Sequence, residues 1–548
     1  MKSVRAFLFV LVLSLAPAIV PAQQPADASA SLDRIFERWN SKETPGCAVA
    51  IARDGKIVLS RAYGMADLEH DAANTTDTIF EAGSVSKQFT AGAIVMLALQ
   101  GKLSLDDNVR KYVPEVPDYG TPITIRHLLT HTSGLRDWGN VASISGWPRT
   151  TRVHTHAHVL DIVSRQRALN FPPGNEYSYC NTGFNLLAII VGRVSGVPFA
   201  EFTHKNIFEP LGMVHTQWRD DFKRIVKSRA VAYDQRREGG FEMDMPFENV
   251  HGNGGLLTTV GDLLLWTENL ETGKVGGPSF LEMMHRQGKL NSGKVITYAS
   301  GLFVTNYRGM PEVSHTGSTA GYRAFLARYP KQHLEIALLT NIGSINPGDV
   351  GHKVADIFLQ IPEAAPAKAV SLSAAELTAK AGLYRNTVTG EPLRLVFSDG
   401  ALRLGRAGAL TPISNTVFQA GNSDRRFTFE PSPDKGRPRL RETRPGEDSI
   451  LYEPAADFAP SAADLAAYEG EYYSPDAEVT LKAVVEGGRL VLRRRPDTRI
   501  QLTPVFPDTF EGGTLGLVRF IRAGNGPATQ LSVRQDRVYD MRFDRTQR

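Results

Sequence analysis

The sequence predicts an α+β fold with an antiparallel sheet flanked by helices, followed by two repeated antiparallel β units. Three observations predict it. Strand-like segments stand at both ends of residues 31–360 around a helix-rich middle. A Pro/Ala-rich stretch, I-P-E-A-A-P-A-K-A-V (361–370), reads as a linker. Beyond it, S-A-A-E-L at Ser373 returns as S-A-A-D-L at Ser461. Gly382-Leu383-Tyr384 returns as Gly470-Glu471-Tyr472, and Asp399-Gly400 as Gly487-Gly488, all at an offset of 88 residues.

The elements follow in order. Residues 1–22 form a secretory signal: Lys2 and Arg5 supply charge and Phe7 to Leu15 an apolar run. Small residues at Val20 and Ala22 mark cleavage after Ala22. Export places the mature chain in a secreted or periplasmic setting. The run is shorter than the roughly 20 residues a span needs, so no stable membrane span is expected after cleavage. Cys47 to Leu59 reads as a hairpin turning at Asp54-Gly55. Gly183 to Val194 is an apolar helix, strands return near 312–341, and Asp349 to Gln360 closes residues 31–360 as a helix. Residues 371–457 and 458–548 are then the two β units, each barrel or lipocalin-like. Leu410-Thr411-Pro412 and Leu502-Thr503-Pro504 continue the repeat after a four-residue insertion.

Composition excludes several classes. The 548 residues are 42% hydrophobic and 22% charged, and the net charge of +4 is small and interspersed. Nucleic-acid binding is not expected, and Arg493-Arg494-Arg495 reads as a solvated strand edge. Cys47 and Cys180 are too few for a disulfide framework and are expected to be buried and free.

The chemistry concentrates in E-A-G-S-V-S-K-Q-F-T-A-G-A-I (81–94). Lys87 follows Ser84 by three residues, which on a helix puts both on one face. A buried lysine reaches its neutral amine form and can take the serine proton. The pattern alone is weak, since Ser432-Pro433-Asp434-Lys435 also fits, but that copy holds a proline and has no helix pattern. Tyr179-Cys180-Asn181 offers a proton relay and an amide, before the Gly183 helix. Its decoy, Tyr384-Arg385-Asn386, opens a β repeat. His315-Thr316-Gly317-Ser318 is the chain's single H-x-G. Gly317 is expected to admit a substrate backbone. The Ser318 N–H is expected to pair with that of Ser84 as an oxyanion hole. His154, His156 and His158 alternate as a strand-borne metal site does, but a helical pattern follows, so no metal or cofactor is expected. His131 reads as a buried hydrogen-bonding residue, and Trp138 and Trp147 as flanking a loop beside a cleft.

S-x-x-K, Y-x-N and H-x-G in this order resemble the penicillin-recognising serine hydrolases, which include class C β-lactamases, DD-peptidases and D-aminopeptidases. The segments I-T-I-R-H-L-L-T-H-T-S-G-L (123–135), G-K-L-S-L-D-D-N-V (101–109), I-F-E-P-L-G-M (207–213) and G-N-G-G-L-L-T-T-V-G-D-L (252–263) are similar to this group as well. The resemblance covers residues 31–360 and implies a β-lactamase/transpeptidase-like fold. It implies Ser84 as acylated nucleophile, Lys87 as base and Tyr179 as proton relay. Asn181 and His315 follow as substrate and network ligands, and Ser84 and Ser318 as oxyanion donors. β-Lactamases of the group carry lysine where this chain has His315, and an unshifted histidine is only about half charged near pH 6.5. H-x-G with two C-terminal β units looks more like D-aminopeptidases, whose resemblance implies a loop from the last domain that reaches the active site and limits substrate size. The expected function is a secreted serine hydrolase acting on amides, peptides or esters, D-amino-acid and peptidoglycan-derived peptides among them. The alternatives are a class C-like β-lactamase or DD-carboxypeptidase, and a non-hydrolytic penicillin-binding or cell-wall-sensing module.

Overall fold

The computed structural model describes residues 27–149, 151–361, 369–405, 408–421, 425–433, 436–444, 448–524 and 526–546. The predicted signal segment, most of the predicted linker and Lys435 of the second S-x-x-K lie outside the described residues. Helix α1 (Ala28–Phe36) leads into the hairpin β1 (Cys47–Arg53) and β2 (Lys56–Tyr63). Asp54 and Gly55 both take positive φ, 51° and 69°, as the predicted two-residue turn requires. The middle holds α2 (Lys87–Leu99), α3 (Trp138–Ile144), α4 (Asn181–Ser195) and α5 (Val260–Thr272). Strands β3 (Phe303–Tyr307), β4 (Met310–Thr319), β5 (Tyr322–Tyr329) and β6 (Leu334–Thr340) follow, then α6 (Pro347–Leu359).

The two ends of residues 31–360 meet in one antiparallel sheet of order β3-β4-β5-β6-β1-β2, with Cys47 opposite Thr340. Side chains alternate across a strand, and β1 uses both faces. Cys47, Val49 and Ile51 pack with α1 and α6, through Leu32, Phe36, Val354 and Phe358. Ala48, Ala50 and Ala52 face the helical core instead. Covering on both sides explains why β1 reads as one apolar run rather than an alternation. Among the described residues no single helix is long and apolar enough to cross a membrane. Asn181–Ser195 and Phe199–Leu211 pass by length and composition only as a pair bent by 81°.

Each C-terminal unit is a nearly closed antiparallel barrel. The first is an eight-stranded sheet whose edge strands approach through a bridge between Arg403 and Ala409. The second has nine strands and ends in the hairpin β7 (Gln530–Gln535) and β8 (Val538–Arg545). The sequence repeat is also a repeat of contacts. Ser373 and Ser461 each cap a short helix in a reciprocal capping box with Glu376 and Asp464. Tyr384 then donates to the Lys380 carbonyl as Tyr472 donates to that of Tyr468. Tyr384 is buried there, which makes its Y-x-N structural.

The arginine run at 493–495 corrects its reading as a solvated edge. Arg493 does pair with Glu486 at the surface. Arg494 and Arg495 donate to the carbonyls of Ser143, Ile144 and Ser145 at the C-terminal end of α3. A helix C-terminus has unpaired carbonyls and negative polarity, so two guanidinium groups suit it. The buried Arg136 adds a second tie between the last unit and the helical region, donating to Asp476 at 2.8 Å and to the Asp540 carbonyl at 2.7 Å.

A buried ion pair supports the segment that leads to Ser84. Arg219 bonds Glu81 through Nε at 2.8 Å and Nη2 at 3.0 Å, and the two side chains are 1% and 0% exposed. Arg219→Met leaves Glu81 charged and unpaired and is expected to cost about 3–5 kcal/mol of stability. Denaturant unfolding of the whole chain checks this. The Glu81→Gln/Arg219→Met double variant is expected to recover part of the loss, and equal stability of the single variant and wild type contradicts the assignment.

Candidate active site

Ser84 lies in a single 3₁₀ turn, Gly83–Ser86, and the α-helix proper begins at Lys87. The turn packs against strand β4. Glycine is needed on both sides of this approach. A side chain at Gly83 (φ 51°) would place its Cβ 2.6 Å from Ser318 N, and one at Gly317 would lie 2.0 Å from the Ala82 carbonyl oxygen. The expectation for Gly317 is thereby corrected. Its missing side chain admits the backbone of the Ser84 turn, and Gly317 does not line the cleft. The same approach sets Ser318 N beside the Gly83–Ser84 segment, where two backbone N–H groups can face one oxyanion.

Lys87 is fully buried and its Nζ has three neighbours: Ser84 Oγ at 3.1 Å, Asn181 Oδ1 at 2.9 Å and the Asn253 carbonyl at 2.6 Å. Burial drives its pKa well below the ordinary lysine value, the Arg537 charge adds to this, and Asp137 opposes it. A neutral amine has two hydrogens and one lone pair. The two oxygens that can only accept take the hydrogens, which leaves the lone pair facing the Ser84 hydroxyl.

Helix α4 supplies the next groups. Asn181 is its first residue, and its N–H donates to Asp137 Oδ2 at 2.7 Å. Tyr179 stands just before it, with Lys87 Nζ 4.8 Å from its ring centre. The Tyr179 hydroxyl is buried, and burial raises its pKa while the Ser84 hydroxyl beside it acts to lower it. The phenol therefore keeps its proton. Cys180 between them packs inward, its thiol donating to the Leu135 carbonyl at 3.3 Å. Cys47 and Cys180 are both buried and free.

His315 completes the set from β4. Its Nδ1 lies 2.6 Å from the Thr316 carbonyl, so that nitrogen carries the proton, and Nε2 accepts from Tyr298 Oη at 3.0 Å. Burial, with Lys87 adding to it, pushes the His315 pKa down to about 3. The ring is neutral at any pH near 7.

Ser84, Tyr179, Asn181, His315 and Ser318 line one cleft of about 440 Å³, with Lys87 directly beneath Ser84. The arrangement can activate a serine hydroxyl, move a proton through a phenol and stabilise an oxyanion. Other expected residues stand elsewhere. His131 is buried, takes φ 57° and accepts the Cys180 N–H at 3.1 Å, as expected of a structural histidine. His156 contacts the His251 carbonyl and His158 caps Thr155, so the three alternating histidines do not converge. Trp138 is buried against His154, and Trp147 lies beneath Arg152 and Arg495, so neither lines the cleft. Sequence reasoning missed Asp137, the Asn253 carbonyl, Arg149 and Arg537. Of these only Asn253 lay in a segment already singled out, G-N-G-G at 252–255.

The Beta-lactamase family profile matches residues 32–358. A D-aminopeptidase of Gluconobacter oxydans is 27% identical over 453 residues, covering 81% of this chain and 83% of its own. Penicillin-binding protein 4* of Bacillus subtilis is 28% identical over 331 residues, 57% of this chain and 71% of its own. The octameric penicillin-binding protein homologue of Pyrococcus abyssi superposes with a TM-score of 0.57 at 26% identity, over 78% of this chain and 99% of that one. With the profile spanning more than half of its length, the chain belongs to the Beta-lactamase family and is a serine hydrolase.

Proposed function

We propose that this chain is an exported hydrolase that forms an acyl-enzyme on Ser84 and cleaves amide, peptide or ester bonds. The observation that carries the reading is the buried Lys87 amine 3.1 Å from Ser84 Oγ with its other two directions already bonded. In this reading Lys87 takes the Ser84 proton as Oγ attacks the carbonyl carbon. The developing oxyanion is met by the N–H groups of Ser84 and Ser318. Tyr179, protonated and beside Ser84, gives its proton to the leaving group as the tetrahedral intermediate collapses and regains one from the Lys87 ammonium, which restores both groups. Water then attacks the acyl-enzyme by the reverse relay. Asn181 and His315 hold the network and the substrate amide. The chemistry resides in residues 31–360, with 371–457 and 458–548 as the two β units that follow the linker. The D-aminopeptidase relative supports peptides with D-amino acids as substrates.

Intact-mass measurement tests this reading. Wild type is expected to gain one fluorophosphonate adduct that Ser84→Ala lacks, and to turn over D-alanyl anilides or short-chain nitrophenyl esters. Turnover of a chromogenic cephalosporin ranks the β-lactamase alternative first, and a stable penicillin adduct without turnover favours the binding-module alternative. Absence of both adduct and turnover sinks the reading.

The acid limb of kcat/KM gives a second test. The base works deprotonated, so activity rises as Lys87 loses its proton, and the inflection is expected well below pH 10.5 because the Lys87 pKa is lowered. Arg537 is one of the causes of that lowering. Arg537→Met is therefore expected to move the inflection to higher pH, and an unmoved or lower inflection contradicts the electrostatic account. Export predicts a mature N-terminus at Gln23, read by N-terminal sequencing of the secreted or periplasmic protein, and a retained Met1 contradicts it.

A further inference from the structure

The last β unit contributes a side chain to the cleft. Arg537 stands at the two-residue tip of the hairpin β7–β8, where Asp536 takes φ 41°. Its guanidinium lies 4.8 Å from the centre of the Tyr179 ring and lines the same cleft as Ser84. The tip is held by the backbone. The Asn170 amide donates to the Arg537 carbonyl at 2.9 Å and accepts the Tyr539 N–H at 3.0 Å, bonding the hairpin as a neighbouring strand does. Arg136 grips the Asp540 carbonyl, three residues beyond Arg537, and its own partner Asp476 belongs to the same β unit.

The charges around this arginine leave it under-used. Asp137 is 3.8 Å away, but its carboxylate already accepts the N–H groups of Asn181 and Gly139. Asp536 at 3.3 Å is on the exposed side of the turn. Among the described residues no acceptor takes a hydrogen bond from the Arg537 side chain, although a guanidinium carries five N–H donors in a planar fork. The other cations of the site are committed. Arg149 is paired through two nitrogens with Glu248, Lys87 has its three neighbours, and His315 is neutral. Among the described residues no Asp or Glu lines the cleft.

We propose that Arg537 binds a carboxylate of the substrate, so that the last β unit supplies the specificity-determining residue of an active site carried by another part of the chain. The fork geometry matches a carboxylate through two parallel hydrogen bonds. The substrate class is then an acyl donor or leaving group that bears a carboxylate, which narrows the proposed function and rests on it. The carboxylate belongs either to the acyl portion or to the leaving group.

Calorimetry on the full-length Ser84→Ala protein distinguishes these sources without turnover. N-acetyl-D-alanyl-D-alanine against its C-terminal amide probes the leaving-group end. N-succinyl-D-alaninamide against N-acetyl-D-alaninamide probes the acyl end. In at least one pair the carboxylate member is expected to bind about 10-fold tighter or more, the size of a charge-assisted hydrogen bond. The preference is expected to vanish in Ser84→Ala/Arg537→Met and to survive in part in Ser84→Ala/Arg537→Lys. A purely structural arginine would weaken both members alike and leave the ratio unchanged. Equal or undetectable binding of both members in both pairs, or a preference that survives Arg537→Met, overturns the proposal. Failure of the serine chemistry itself shows separately, as loss of the Ser84 adduct in the wild-type protein.

Discussion

The active centre depends on the burial of one amine. A lysine ammonium removed from water without a counter-ion costs several kcal/mol, and the cheapest escape is to release its proton. Among the described residues Lys87 has no carboxylate as a hydrogen-bond partner, only a serine hydroxyl, an asparagine oxygen and a backbone carbonyl. The fold therefore favours a neutral amine, and the geometry aims its lone pair at Ser84. Each partner comes from a different segment: the turn before α2, the first residue of α4, and the loop at 253. The ends of residues 31–360, zipped together as β1 and β6, hold the sheet against which that turn is pressed.

The cleft is finished from outside that region. Hairpin β7–β8 places a guanidinium over Tyr179, and that charge acts on the chemistry in two ways. It discourages protonation of Lys87, and it offers the cleft an anion-binding fork. Both effects require the last barrel to be docked. The docking contacts are correspondingly polar and directional: Arg136 with Asp476, Asn170 with the hairpin backbone, Arg494 and Arg495 on the end of α3. Such contacts fix an orientation more than they bury surface, which suits a unit whose task is to present one side chain.

The legible part of the site was the part encoded locally. Ser84 and Lys87 are one helical turn apart, Tyr179 and Asn181 flank a helix start, and His315 to Ser318 sit on one strand, so short spacing pointed to residues that the fold brings together. The β repeat was legible because each copy keeps its capping box and its tyrosine. Arg537, Asp137 and the Asn253 carbonyl were not, because their meaning lies in contacts between distant segments. D-R in a hairpin turn carries no local signal of a cleft hundreds of residues away. Gly317 shows the converse failure. A glycine beside a catalytic motif signals close approach, but sequence alone does not say whether the visitor is substrate or the protein's own Ala82 carbonyl. Arg494 and Arg495 were misread for the same reason, since their helix-end partners lie some 350 residues earlier.

The protonation state of Lys87 tests the account most directly. Heteronuclear NMR titration of ¹³C,¹⁵N-lysine-labelled protein, with Lys87→Arg to assign the resonance, reads that state independently of catalysis. The account predicts a Lys87 side chain that titrates well below the other lysines and is neutral at the pH of activity. A Lys87 that titrates with the surface lysines, near the ordinary value of 10.5, would contradict it.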